Sequence, residues 1–166
     1  MSERDDRKQW ILNQYIHFGL NYEFYGSLCQ DFVETGEGDP VSVLSKCCAE
    51  LSRRKQLKQE RSDRKALIKK ELFKAGLAYS VYSQYLSHFI NNGIGDYVQI
   101  IATFAARKEL LSEELAKNGF SLSPNSPDVT SYIGSGMDDP VHIVTNLRKK
   151  LNKIRRRFPS SFPTAV

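Results

Sequence analysis

The chain has 166 residues, one domain's worth by length and enough to bury a single core. Hydrophobic residues make up 40% and charged residues 26%, with nine Phe, eight Tyr and one Trp, which excludes the disordered, collagen-like and low-complexity classes. The net charge of +5 is concentrated, because Ser52–Gly76 holds ten Lys or Arg and Arg148–Arg157 holds seven of the 24 cations. Each block reads first as a solvated helix face, with nucleic acid, anionic lipid or an acidic partner as the other reading. Cys29, Cys47 and Cys48 show no C-x-x-C spacing and fit a reducing compartment. No apolar run approaches the roughly 18 residues of a membrane span, and Met1–Lys8 does not resemble a signal peptide.

In chain order, Trp10, Ile11, Tyr15, Phe18 and Tyr22 repeat near 3.6 residues and predict an amphipathic helix over Glu3–Tyr25. A Gly-rich loop, Glu34–Gly38, follows. Asp39-Pro40 supplies an N-cap and a first-turn proline, opening a second helix with Val43, Leu44, Cys47, Cys48 and Leu51 on one stripe. Leu67, Ile68, Leu72 and Phe73 predict a short third helix ending at Ala75-Gly76. Leu77–Ile90 is helical again, and Asn91–Gly95 breaks it.

Tyr97–Ala106 is the most continuously apolar segment and runs on to Leu115 before a stop at Asn118-Gly119, so it is expected as a central helix buried on nearly all sides. Ser121–Met137 reads as loop with at most one weak turn of helix around Val129–Ile133. Asp139-Pro140 then opens a basic helix from Val141 to about Arg157, which Phe158-Pro159 ends. Asp-Pro-Val occurs at Asp39 and again at Asp139, which is expected to reflect shared capping chemistry rather than duplication. No strand alternation is found, so the fold class is all-α, a single domain over 1–158 with a tail at 159–166.

The chemistry of an enzyme is not apparent. His17, His88 and His142 lie far apart with no helical ligand partner, so neither a metal site nor a cofactor is expected. Cys47 and Cys48 sit on an apolar stripe, where Cys behaves as a small hydrophobe. Asn92–Gly95 lacks the Lys-Ser/Thr of a phosphate loop.

Three segments carry a resemblance. Asp6-Arg7 followed by Trp10-Ile-Leu-Asn-Gln-Tyr15-Ile-His17 and Leu20 resembles the fourth homology (BH) motif of the Bcl-2 family of apoptosis regulators. Val43–Arg54, with Leu44, Cys48, Glu50 and Leu51, is similar to the third BH motif, and Phe89–Ala102 to the first. The three occur in the family's order. The sequence departs from the pattern at Val98 and Gln99, which stand where Gly and Arg are usual, and no second BH motif with its Trp is found.

The resemblance implies a bundle of about seven helices around a central hydrophobic helix. It also implies a groove that receives the amphipathic BH3 helix of pro-death relatives. By position the groove would be formed by Leu51, Lys55, Tyr85, His88, Phe89, Asp96, Tyr97, Gln99, Ala102 and Thr103. The well-formed fourth motif favours a pro-survival member over a pore-forming pro-death one. A cytoplasmic location is expected, at the outer mitochondrial membrane only through a tail that this chain does not show. An anionic membrane surface is the other partner that the basic blocks suggest. Outside the family the alternative is a nucleic-acid module using Leu147–Arg157, disfavoured because no aromatic interleaves those cations.

Overall fold

The computed structural model describes residues 2–20 and 22–159, excluding the side chains of 22–28. Among the described residues the fold is all-α, with no strand. The helices are α1 (Glu3–Phe18), α2 (Tyr22–Thr35), α3 (Pro40–Lys74), α4 (Tyr79–Tyr82), a 3-10 turn (Ser83–Leu86), α5 (Ser87–Asn92), α6 (Tyr97–Lys117), α7 (Pro127–Ser135) and α8 (Pro140–Arg157). The chain divides into two compact units, Met1–Glu60 and Arg61–Val166.

Several boundaries differ from the sequence expectation for local reasons. The first helix stops at Phe18 because Gly19 adopts a left-handed φ of 65° and Leu20 N–H returns to the Tyr15 carbonyl, so Tyr22–Tyr25 starts α2 instead. The second and third predicted helices are one 35-residue helix, α3. Residues 52–63 between their apolar stripes are all exposed but contain no Gly or Pro, and strong helix formers such as Lys, Arg, Gln and Glu predominate. Ser121–Met137 contains a true helix, α7, started by Pro127 after Ser126. The central helix is corrected most. α6 buries Ile101, Phe104, Leu111 and Leu115 against α7 and α8, but Val98, Ala102, Ala106 and Leu110 face solvent.

Each unit has its own core. In the first, Ile11, Tyr15, Leu20, Cys29, Val33, Leu44 and Cys47 pack together, and the Tyr15 hydroxyl finds its partner in the Cys29 thiol at 2.9 Å. Burial pushes the Tyr15 hydroxyl and the Cys47 thiol above their ordinary pKa. In the second, Ile68, Leu72, Tyr82, Leu86, Ile90, Phe104, Leu111 and Ile133 are among the buried residues.

The two cores are built to one plan, used three times. Arg7 donates to the carbonyls of Val33 (3.1 Å) and Glu34 (3.3 Å). Arg64 does the same to Ile90 (3.0 Å) and Asn91 (3.2 Å), and Arg107 to Ile133 (3.1 Å) and Gly134 (3.3 Å). In each case a left-handed glycine follows, Gly36, Gly93 or Gly136, whose N–H closes on the carbonyl of Phe32, Phe89 or Tyr132. Three residues later an aspartate, Asp39, Asp96 or Asp139, caps the next helix through its Oδ1.

Aligned on these residues, the chain shows three tandem modules offset by 57 and then 43 residues, with Arg, Lys, Gly, Gly, Asp and Val identical at Arg7-Lys8, Gly19, Gly36, Asp39, Val41 and their equivalents. The core positions correspond as well. Ile11, Ile68 and Leu111 are equivalent and buried; so are Tyr15, Leu72 and Leu115, Cys29, Leu86 and Val129, and Val33, Ile90 and Ile133. Each module is three helical segments, and the third segment of one continues without a break into the first segment of the next, within α3 and within α6. The fourteen extra residues of the longer offset fall in α3 between Cys47 and Arg64. Asp39-Pro40-Val41 and Asp139-Pro140-Val141 are therefore equivalent positions of a repeat as well as shared caps, which corrects the sequence expectation.

Candidate functional site

The residues assigned to a groove from the sequence fall in both units. Leu51 packs against the first core and Lys55 is exposed on α3. The other eight belong to the second unit. Tyr85 is packed edge-on to Phe104, ring centroids 6.0 Å apart, and lies over Gly134 of α7. Phe89 and Tyr97 stack at 4.7 Å, both half-buried. Asp96 is the N-cap of α6, accepting from Gln99 N–H at 3.1 Å, and the Thr103 hydroxyl donates back to the Gln99 carbonyl. His88, Gln99 and Ala102 are exposed. Tyr85, Phe89, Tyr97, Asp96 and Thr103 thus have structural work within the second module, and Gln99 and Ala102 lie on its outer face.

A groove is present elsewhere, within the first unit. The faces of α1 and α3 enclose about 370 Å³ lined by Trp10, Gln14, Phe18, Val41, Leu44, Ser45 and Cys48. Its walls are large apolar side chains left in water: Trp10 is 37% exposed, Phe18 51% and Val41 65%. Leu44 is buried at its floor, and Trp10 leans edge-on against Phe32, which fixes one wall. α1 presents these residues because its buried side is taken by Ile11 and Tyr15, leaving Trp10, Gln14 and Phe18, four residues apart, on an adjacent stripe.

The repeat gives this groove its meaning. At the places of Phe18 and Cys48 the third module has Asn118 and Arg148, and the Arg148 guanidinium donates to Asn118 Oδ1 at 2.6 Å, closing the space with a polar bond. The second module has Ala75 and Ala105 there, and Lys108 Nζ reaches the Ala75 carbonyl at 2.7 Å. Only the first module carries a large apolar residue, Phe18, at the first of these positions, with the small Cys48 opposite it. The groove is not legible in the sequence, where the 3.6-residue period sets Trp10 and Phe18 on the core stripe, one step of helical phase from where they lie.

Further along α3, the Glu50 carboxylate accepts from Arg53 at 2.9 and 3.0 Å and from Arg54 at 2.7 Å, which lowers its pKa to about 2. Among the described residues no group of three His, Cys, Asp or Glu is placed to hold a metal ion, and no helix is long and apolar enough to cross a membrane. No family model, curated protein or solved structure matches the chain.

Proposed function

We propose that the protein is a non-catalytic binding module that takes an amphipathic helix of a partner into the α1–α3 groove of its first unit. The observation that carries this reading is the contrast among equivalent positions: Phe18 and Cys48 line an open apolar groove where Asn118 and Arg148 bond across the same space in the third module. Exposed apolar surface with a concave shape is where helix-in-groove recognition occurs, the ligand presenting anchors at i, i+3, i+4 and i+7.

The resemblance to the Bcl-2 family gives that activity a second, narrower form: a pro-survival regulator that sequesters BH3 helices. Its support is the order of the three motifs along the chain. The first BH motif, Phe89–Ala102, stands at positions equivalent to Phe32–Ser45 and Tyr132–Thr145, so the repeat also accounts for that segment. The fourth, from Asp6 to Leu20, likewise corresponds to Asp63–Leu77.

Calorimetric titration of the whole chain separates the readings. A generic amphipathic helical peptide and a panel of BH3 peptides are compared on the wild type, Phe18→Asp, Val41→Asp and Ala102→Glu. The groove reading expects binding weakened at least tenfold by Phe18→Asp and Val41→Asp and untouched by Ala102→Glu. Selective BH3 binding lost with Ala102→Glu would favour the narrower reading, and cell death on expression its pro-death counterpart. Duplex DNA binding that falls steeply with salt, with no peptide binding, would overturn both.

A further inference from the structure

The cations of α8 are not equivalent. Arg148 donates to Asn118 Oδ1 at 2.6 Å and Lys150 is ion-paired with Asp128 of α7, so both are engaged within the second unit. Lys149, Lys153 and Arg156 are exposed and have no hydrogen-bond or ion-pair partner among the described residues. They recur at i, i+4 and i+7 and so share one face of the helix. With Asn152 they line a concave space of about 380 Å³ whose walls include no carboxylate and no apolar side chain. A second space, of about 320 Å³, shares Lys149 and Lys153 and adds Asn146, Asp128 and Asp138. Its two carboxylates are already engaged, Asp128 by Lys150, and Asp138 by the Asp139 N–H at 2.9 Å and His142 Nδ1 at 2.5 Å. Free positive charge is therefore concentrated between Lys149 and Arg156.

The face itself selects among polyanions. Its three cations are spread over seven residues, about 10 Å of helix axis, which suits a row of anions better than a single one. The exposed apolar residues of this part of α8, Ile154 and Phe158, lie on a different face, so nothing beside the three cations can enter a bilayer as a membrane-surface helix does. For the same reason the face lacks the apolar core of a protein interface. A wholly polar, cationic surface is instead the character of a nucleic-acid interface. No aromatic residue interleaves the cations, which removes the stacking platform that single strands use and leaves the backbone of a duplex.

We propose that the Lys149–Lys153–Arg156 face of α8 binds the phosphate backbone of a nucleic-acid duplex, without regard to its sequence. The cations neutralise phosphates along one strand and release their counterions, and the side-chain amides of Asn146 and Asn152 donate to neighbouring phosphate oxygens. This face shares no residue with the α1–α3 groove, so either activity can be lost without the other.

The test uses the full chain and fluorescence anisotropy with labelled DNA and RNA duplexes, each in two unrelated sequences, over a series of salt concentrations. The wild type is compared with Lys149→Gln/Lys153→Gln/Arg156→Gln, with Lys58→Gln/Lys65→Gln/Lys70→Gln, which removes the same charge from exposed positions of α3, and with the groove variant Phe18→Asp. All three sites of the α8 variant are exposed and Gln is a good helix former, so it keeps its helicity and Tm, checked by circular dichroism. The expected result is binding of at least one kind of duplex, equal for its two sequences and weakened at least tenfold in the α8 variant. The slope of log affinity against log salt should become shallower there by about 0.9 per cation removed. Phe18→Asp should bind as the wild type does. An equal loss in the α3 variant overturns the proposal, since net charge alone would then account for binding. It is also overturned if single strands bind more tightly than duplexes, or if neither duplex binds, whether or not phosphatidylglycerol vesicles or polyglutamate do.

Discussion

Arg7 and Arg107 make the same pair of hydrogen bonds one hundred residues apart, each guanidinium reaching the last carbonyls of the helix that precedes a left-handed glycine. These carbonyls have no partner within their own helix, and a cation also complements the negative end of the helix dipole. Arg107→Ala is expected to cost about 1.5 to 3 kcal/mol, the range for hydrogen bonds to charged groups. Both bonds leave one nitrogen, Nη1, so Arg107→Lys, which keeps the charge on a single ammonium but loses the planar guanidinium, is expected to recover part of the loss. Urea denaturation checks both; a loss below about 0.5 kcal/mol for Arg107→Ala, the level of an ordinary surface change, would mean that the clamp is ornamental.

Gly134 shows where the modules differ in packing. A Cβ there would lie 2.2 Å from Tyr85 Cε2, whose ring is held by Phe104 and Tyr82. Gly134→Ala is expected to destabilise by about 1 to 3 kcal/mol as overpacking does, despite the better helix propensity of Ala. Combining it with Tyr85→Val relieves the clash, so the pair is non-additive in a double-mutant cycle. Additive losses would place the Tyr85 ring elsewhere.

The three thiols should separate by reactivity. Cys29 and Cys47 are fully buried around the Tyr15 hydroxyl and burial pushes the Cys47 thiol up, whereas Cys48 is half-buried at the groove wall. With an aromatic disulfide reagent at neutral pH, one thiol is expected to react in the native protein and three after denaturation. Loss of the fast phase in Cys48→Ser assigns it, and bound peptide in the groove should slow it. Two or three fast thiols in the native protein would contradict the packing of the first core.

Glu50 gives a pH dependence with a definite sign. Its carboxyl is held at about 2, below the ordinary 4.5, mainly by its hydrogen bonds to Arg53 and Arg54. A depressed folded-state value means that the contribution to stability is complete above about pH 4.5 and fades as the pH falls through about 2. Carbon-detected NMR of the side chain is expected to show a midpoint near the lower value, moving toward the ordinary one in Arg53→Ala/Arg54→Ala. A wild-type midpoint at 4.5 would mean that the two arginines do not engage Glu50 in solution.

Helix content was legible in the sequence, and the repeat was not. Asp139-Pro140 and the stop at Asn118-Gly119 lie within a residue of where the helices begin and end, because capping depends on local residue type. The modules are hidden in the sequence because their spacing is unequal and helix–helix boundaries are erased: the third segment of one module and the first of the next are fused in α3 and α6. The signals that identify them are sparse, Asp6-Arg-Lys against Asp63-Arg-Lys, and glycines at 19, 76 and 119 and at 36, 93 and 136. α6 read as central because Ile100, Ile101, Ala102, Phe104 and Ala105 are apolar all round, yet Ala is cheap to expose, and Ala102 faces water. The groove could not be seen from composition, since Trp10 and Phe18 look like core residues until the opposite face of α1 is known to be filled by Ile11 and Tyr15.

The most direct measurement is the emission of Trp10, the chain's only tryptophan and a wall of the groove. Titration with an amphipathic helical peptide is expected to shift its emission to shorter wavelength, saturably and at the concentration where calorimetry reports binding, as the indole leaves water. Val41→Asp and Phe18→Asp should abolish the shift while leaving the emission of the free protein folded in character. Peptide binding without any change at Trp10, or a shift that survives both substitutions, would contradict the assignment of this groove as the helix-binding site.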